Sequence, residues 1–306
     1  MAMAQAGVFS AADAARVGVS SDELTTLSRH GTVTRIRRGA YVVTSVYRPA
    51  HPSERYRLEV RAVLRTRAAD DRASHHSALA LLGIDTHGVP ARTITLESRR
   101  ARRQKAQSGL VTHPWSGGDT WVSKDFSTVP PALACLQVAA QSGFESGVCA
   151  IDSALRRQMT TMPELEAAIE HRPPLRRAFL RSVLAAADEG ADSVGESRTR
   201  IILADAGFEV RSQVTIEDQA GFVGRVDLLV DGVVVLEFDG LMKYAGADGR
   251  DALAAEKARE ERLTRLGYEV VRVTWSDLED PVALVRRVVR ARQIALQRRA
   301  AMKAAR

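Results

Sequence analysis

The stretch GRVDLLVDGVVVLEFDG, residues 224–240, constrains this chain more than any other. Two apolar runs flank an Asp-Gly pair, the strongest short-range signal for a β-hairpin. Both runs nevertheless carry acids: Asp227 on the first, Glu237 and Asp239 on the second. Glu237 and Asp239 are two apart, so strand geometry sets them on one face with Val233 and Val235 and leaves Leu236 and Phe238 to the other. The place of Asp227 depends on the loop. A two-residue turn at Asp231-Gly232 pairs Asp227 with Leu236 and turns it away from Glu237. A three-residue loop of Val230, Asp231 and Gly232 pairs it with Val235 and gathers all three carboxylates on one face. Acids so gathered demand a counter-charge, because like charges at close range disfavour joint ionisation. A Mg²⁺ or Mn²⁺ ion on Asp227, Glu237 and Asp239 would supply it and could orient water for attack on a phosphodiester. The alternative is a set of edge acids on a solvated sheet face, paired with arginines such as Arg225.

The flanking segments give the hairpin a domain. A helix is predicted over about 192–206, ended by Gly207, then the strand FEVRSQVTI, the hairpin, a charged helix over 251–266 ended by Gly267, the strand YEVVRVTW and a long Arg/Ala-rich helix from about Asp280. With a helix before it, the last strand can pair parallel to an earlier one through a crossover. Glu196 lies near the start of the first of these helices, where it either joins the acids or complements the helix dipole. Gln213 on the preceding strand can hydrogen-bond at the same place. Arg259, Glu260 and Arg262 are expected to form solvated salt bridges.

At the other end, Ser10 can cap a helix over 11–17, and Ser20 with Glu23 has the spacing of a capping box for a second helix through Arg29. TVTRIRRGAYVV then alternates like two strands around a turn at Arg38-Gly39. Helix, turn, helix and hairpin is the order of a small winged helix. Thr25, Thr26, Ser28 and Arg29 would then face a major groove, with Arg35, Arg37 and Arg38 on the wing beside phosphates. A protein-interaction module with solvated arginines has the same order of elements. The excess of 44 Lys+Arg over 37 Asp+Glu, a net charge of +7, fits an anionic partner such as duplex DNA.

Between them, residues 51–190 read as a mixed region ending in a helical spacer: helices at SERYRLEVRAVLRTRAA and SHHSALALLG, strands at TITLES and LVTHPW, and four helical stretches between Pro131 and Ala187. RRARRQK, residues 99–105, is the densest basic cluster and falls in a predicted loop, open to phosphate or to water alike. His75 and His76 suggest capping or packing, since neighbours point to different helix faces. Cys135 and Cys149, the only cysteines, read as small core residues of a reducing compartment. No signal peptide or membrane span is visible, which predicts a cytoplasmic protein without membrane partners.

Two stretches resemble known families. FSAADAARVGVSSDELTTLSRHGTVTRIRRGAYVV is similar to the N-terminal winged-helix domain of AbiEi-type antitoxins, the transcriptional autorepressors of type IV toxin–antitoxin systems, which implies DNA binding and a cognate toxin. GESRTRIILADAGFEV, SQVTIED, GRVDLLVDGVVVLEFDGLMKY and EKAREERLTRLGYEVVRVTWSDL, in that order, resemble the Vsr-like branch of the PD-(D/E)XK nucleases, related to the very-short-patch-repair endonuclease. That likeness implies a restriction-endonuclease-like α/β domain with Asp227 as central metal ligand, Glu237 and Asp239 completing the acidic strand, and Glu196 as the helix-borne acid. The superfamily's lysine, two positions after the second acid, falls on Asp239; Lys243 is the candidate replacement, and Tyr244 stands where Vsr enzymes use histidines. The chain is thus expected to be mixed α/β: a winged helix over 1–50, the middle region over 51–190, and a nuclease-like domain over 191–306. Its expected function is that of a DNA-binding, Mg-dependent endonuclease or nickase, or alternatively an antitoxin-type regulator whose nuclease-like domain is inactive.

Overall fold

The computed structural model describes residues 7–304 apart from 91, 124, 173 and 241–248. Lys243 and Tyr244 therefore lie outside the described residues. The chain divides into two compact units, one of residues 1–150 with 157–184, the other of 151–156 with 185–306. The architecture is mixed α/β, as the sequence predicts.

The first unit opens with strand β1 (Val8–Ser10), helices α1 (Ala11–Arg16) and α2 (Ser21–Arg29), and strands β2 (Val33–Arg37) and β3 (Ala40–Val43). Both helices start on full capping boxes, Ser10 with Asp13 and Ser20 with Glu23, each Ser receiving the N3 amide while the N3 acid reaches back. Gly39, at φ +78°, makes the turn between β2 and β3. The short β1, unforeseen, pairs antiparallel with β3 and completes a three-stranded sheet of order β1-β3-β2. Phe9, Leu24, Val33 and Tyr41 close a core beneath it. Asp13 is fixed further by Arg65, whose Nε donates to Oδ2 at 2.7 Å and Nη2 to Oδ1 at 3.0 Å.

After the short α3 (Thr44–Tyr47) and α4 (Pro52–Leu64), the middle region is built on a six-stranded sheet. Its strands are β4 (Arg72–Ala73), β5 (Ile94–Ser98), β6 (Lys105–Gln107), β7 (Leu110–Pro114), β8 (Trp121–Val122) and β9 (Ser127–Thr128), in the order β6-β7-β5-β4-β9-β8, with α5 (His75–Leu82) between β4 and β5. RRARRQK leaves β5 as an exposed loop and ends in Lys105 of β6; Arg99 stacks 3.8 Å over the Trp115 ring centroid. Four helices follow: α6 (Pro131–Ser142), α7 (Phe144–Arg156), α8 (Met162–Glu170) and α9 (Pro174–Ala185). Cys135 and Cys149 are both buried. His76 is buried and its Nε2 donates to the Thr93 carbonyl, while the His75 ring stacks on His113 with centroids 4.2 Å apart.

The second unit runs α10 (Val194–Asp205), β10 (Val210–Asp218), β11 (Gly221–Val230), β12 (Val234–Asp239), α11 (Gly249–Arg265), β13 (Glu269–Thr274), a 3₁₀ turn (Asp277–Glu279) and α12 (Pro281–Ala304). Its four strands lie in chain order, antiparallel except for the parallel β12–β13 pair that the α11 crossover permits. Each sheet face has its own core. Leu228, Val230, Leu236 and Val273 pack with Leu203 of α10 and Leu284 and Val288 of α12, whereas Ile216, Val226, Leu229 and Val235 pack with Leu263 of α11. Gly195 lets α10 approach β12 closely, for a Cβ there would sit 2.1 Å from the Phe238 ring. No described helix is long and apolar enough to cross a membrane.

The Asp13–Arg65 pair generates a stability prediction. Arg65 donating to its carboxylate holds the Asp13 pKa far below the ordinary range, so the stabilisation is present above pH ~4 and lost as pH falls below it. Asp13→Asn should cost about 1–3 kcal/mol at pH 7, since it leaves the Ser10 and Arg65 donors poorly paired. Chemical denaturation at pH 7 and pH 3 should show that cost shrinking at the lower pH.

Candidate functional site

The hairpin at 224–240 places Asp227 by a loop that differs from both expected ones. Asp231 and Gly232 both have positive φ, +47° and +67°, and Val233 N donates to Val230 O at 3.0 Å, as in a two-residue turn. The strands nevertheless pair Val230 with Val234, Leu229 with Val235 and Leu228 with Leu236, so Val233 is an extra, bulged residue. Continued by one step, this register sets Asp227 opposite Glu237, not Val235. Its carboxylate Oδ2 accepts from Phe238 N at 2.9 Å.

A second irregularity lies on the other side of Asp227. Pairing of Ser212 with Leu228 and Val214 with Val226 puts Gln213 opposite Asp227. Strict alternation would place Val210 and Val214 on one face, and Val226 and Leu228 likewise. Instead, Val210 and Leu228 join the α10–α12 core while Val214 and Val226 join the α11 core. Both strands exchange faces at the Gln213–Asp227 step, where Gln213 is held at φ +52°. A left-handed glutamine within a strand is strained, and such strain is common at functional sites.

Glu196, at N3 of α10, completes the cluster. Its Oε2 accepts from Asp192 N at 2.9 Å and from Gln213 Nε2 at 3.0 Å, and its Oε1 from Ser193 Oγ at 2.8 Å. The capping role is real, and so is the proximity to the acids. Burial raises the pKa of Glu196, with the charge of Asp227 adding to it. Burial likewise raises Asp227, reinforced by Asp192 and Asp239, and raises Glu237, reinforced by Asp227. Asp239, at the strand end, is exposed.

The counter-charge comes from α11. Arg259 Nη2 lies 2.6 Å from Glu237 Oε1 and donates to the Arg225 carbonyl at 3.1 Å. Arg259, expected among solvated salt bridges, is instead half-buried and joined to the cluster, whereas Arg262 pairs with Asp218 at 2.7 Å. Gly224 is the signal that could have revealed it, since a Cβ there would meet Arg259 Nε at 2.4 Å. Arg225, the other candidate partner, pairs with Asp192 at 3.2 Å.

This donor set fits a metal poorly. Among the described residues no group of three or more His, Cys, Asp or Glu is placed to hold an ion. Glu237 faces a guanidinium, Glu196 accepts three hydrogen bonds, and one oxygen of Asp227 accepts a main-chain amide. The structure brings Asp227, Glu237 and Glu196 together, with an arginine where a cation was expected.

The predicted groove-facing residues form a second candidate site. Thr25, Thr26, Arg29, Arg35 and Arg38 are exposed, and Ser28 is half-buried. Thr25 Oγ1 donates to Ser21 O at 2.9 Å, and Arg35 Nε reaches the Arg37 carbonyl at 3.4 Å. Arg37 differs from its neighbours: its Nη1 donates to the carbonyls of Gln107 and Ser108, the latter at 2.6 Å, which anchors the wing to the β6–β7 turn.

A family model described as transcriptional regulator, AbiEi antitoxin, matches residues 2–44. Those residues span β1, α1, α2, β2 and β3. No curated protein matches the chain.

The crowded acids make stability depend on pH in the opposite sense to Asp13. A carboxyl whose pKa is raised on folding stabilises below its unfolded pKa and loses that contribution as pH rises through the folded value. Asp227→Asn removes the ionisation penalty and keeps an acceptor for Phe238 N. The substitution should raise stability at pH 7 by on the order of 1 kcal/mol, with the gain vanishing below pH ~4. Calorimetric unfolding midpoints of the two proteins across that range measure it.

Proposed function

We propose that this chain is a DNA-binding transcriptional regulator of the antitoxin type, acting with a cognate toxin, and that its C-terminal unit is nuclease-like without a complete metal site. The observation that carries the reading is the family match on residues 2–44, coincident with the folded helix–helix–wing segment. α2 offers Thr25, Thr26 and Arg29 for base edges, with Ser28 beside them, and Arg35 and Arg38 extend from the wing at the spacing of backbone contacts. Arg37 sets the wing's position through the β6–β7 turn. The chain's net charge of +7 favours the phosphate backbone as partner.

Gel-shift affinity for a duplex from the protein's own upstream region should fall steeply with salt, by roughly 0.9 log units per log unit of salt for each phosphate neutralised. Replacing Arg35 and Arg38 by Ala should weaken binding to every duplex and lower that slope by about 2. An unchanged slope would favour the protein-interaction module instead.

A second reading, a Mg²⁺- or Mn²⁺-dependent endonuclease, is supported by one observation, the β11–β12 register ending at Leu228–Leu236, whose next step sets Asp227 opposite Glu237. Under it these two carboxylates, with Asp239, are the ligands, and Lys243 is the candidate for charge stabilisation. No hydrolytic step follows from the present arrangement, because Glu237 is bound to Arg259. Incubation with supercoiled and mismatched DNA and either ion decides. Cutting that disappears in both Asp227→Ala and Glu237→Ala would establish the enzyme and sink the inactive-domain reading. No cutting at any metal concentration is the expected result.

A further inference from the structure

The first unit contains a cavity of about 480 Å³ between the β8–β9 edge and helices α6 and α8, within the size range of small-molecule sites. Its walls are largely apolar, with Trp121, Leu133, Met159 and Ala168 among them. Arg172, just past the end of α8, also lines it. The Arg172 Nε is buried without a hydrogen-bond partner among the described residues, and burial lowers the pKa of the guanidinium. A cation removed from water in this way is costly unless an anion meets it.

The neighbouring acids are already engaged. Glu97 is the carboxylate whose charge Arg172 feels most. Its Oε2 receives both Nη2 and Nε of the buried Arg72, at 2.7 and 3.1 Å, and its Oε1 receives Ser116 Oγ at 2.7 Å and Gln137 Nε2. Glu164 lines the cavity too, but its Oε2 receives Thr160 Oγ1 at 3.0 Å and Thr161 N at 2.9 Å in the cap of α8. The wall carbonyls are drawn away as well: Arg72 Nη2 takes Gly117 O at 2.8 Å, and Nη1 reaches Gly118 O at 3.5 Å. The cavity is thus lined by a largely apolar surface, the Glu164 carboxylate held in the α8 cap, and the Arg172 guanidinium, whose Nε has no hydrogen-bond partner among the described residues.

We propose that this cavity binds a small organic anion with an apolar body, a carboxylate or sulfonate on a ring or chain, and that Arg172 is its counter-charge. The proposal stands independently of the DNA-binding reading. An aromatic body suits the Trp121 ring in the wall, and a charged head suits a guanidinium, which can offer two parallel donors.

Anilinonaphthalene sulfonate and its uncharged parent, phenylnaphthylamine, test the two requirements separately on the full chain. The sulfonate should bind once per molecule and quench tryptophan emission. Arg172→Gln should weaken it about 10-fold or more, in line with loss of one buried charge-assisted contact, while changing the uncharged probe less than about 2-fold. Arg172→Lys should retain most of the preference for the anion. Ala168→Trp, which fills the cavity, should abolish binding of both probes and leave the DNA gel shift intact. Equal affinity of wild type for the two probes would overturn the proposal, as would sulfonate binding that survives Ala168→Trp; the latter decides the matter even where Arg172→Gln does not fold.

Discussion

The second unit depends on one local departure from strand regularity. At the level where Gln213 faces Asp227, two paired strands exchange their inner and outer faces, and a left-handed backbone absorbs the change. Because β10 and β11 switch together, their pairing survives, and each half of the sheet can bury a different face: one against α10 and α12, the other against α11. The position between the halves belongs to neither core. A polar residue there displaces no apolar contact, which is why the buried carboxylates sit at this level and not elsewhere along the strands.

Charge then determines what the position can do. The charge of Asp227 raises the cost of ionising Glu196 and Glu237, and Arg259 of α11 offsets part of the penalty at Asp227 and Glu237. An arginine and a divalent cation answer the same electrostatic demand, but they are not equivalent. The guanidinium is tethered, carries its own donors and leaves no coordination position for water or phosphate, so it stabilises the acids without supplying an electrophile. Arg259 on α11 thus weighs against a bound metal ion at these acids.

Much of this is legible in the sequence, and the failures have physical reasons. Ser20-Glu23, Gly39 and Gly207 announce their caps and turns because those conformations are local. The grouping of Asp227 with Glu237 is legible as a choice between loops, but a bulge at Val233 adds one residue without any distinctive side chain, so neither expected loop gives the observed register. β1 escapes notice because three residues carry too little periodicity, and its pairing with β3 is decided some thirty residues away. Arg259 looks like one more charge on a solvated helix. Only the missing side chain of Gly224 marks its path, and an isolated glycine in a strand can equally mark a bulge or a tight bend. The Arg172 cavity leaves no sequence signal at all, since it arises from the placement of a short edge strand against two helices.

The contact between Gly195 and Phe238 bears on how the acid cluster is held. With the Phe238 ring seated where a Cβ would otherwise be, and Trp275 edge-on against its other side at 5.1 Å, the start of α10 and the end of β12 are interlocked. Glu196 and Glu237 are mounted on those two pieces and form a stiff frame. Arg259 sits on α11, outside that interlock. The spacing of the two carboxylates is therefore set by the α10–β12 contact, and the position of their guanidinium partner by a different one, the packing of α11 on the opposite sheet face through Leu263.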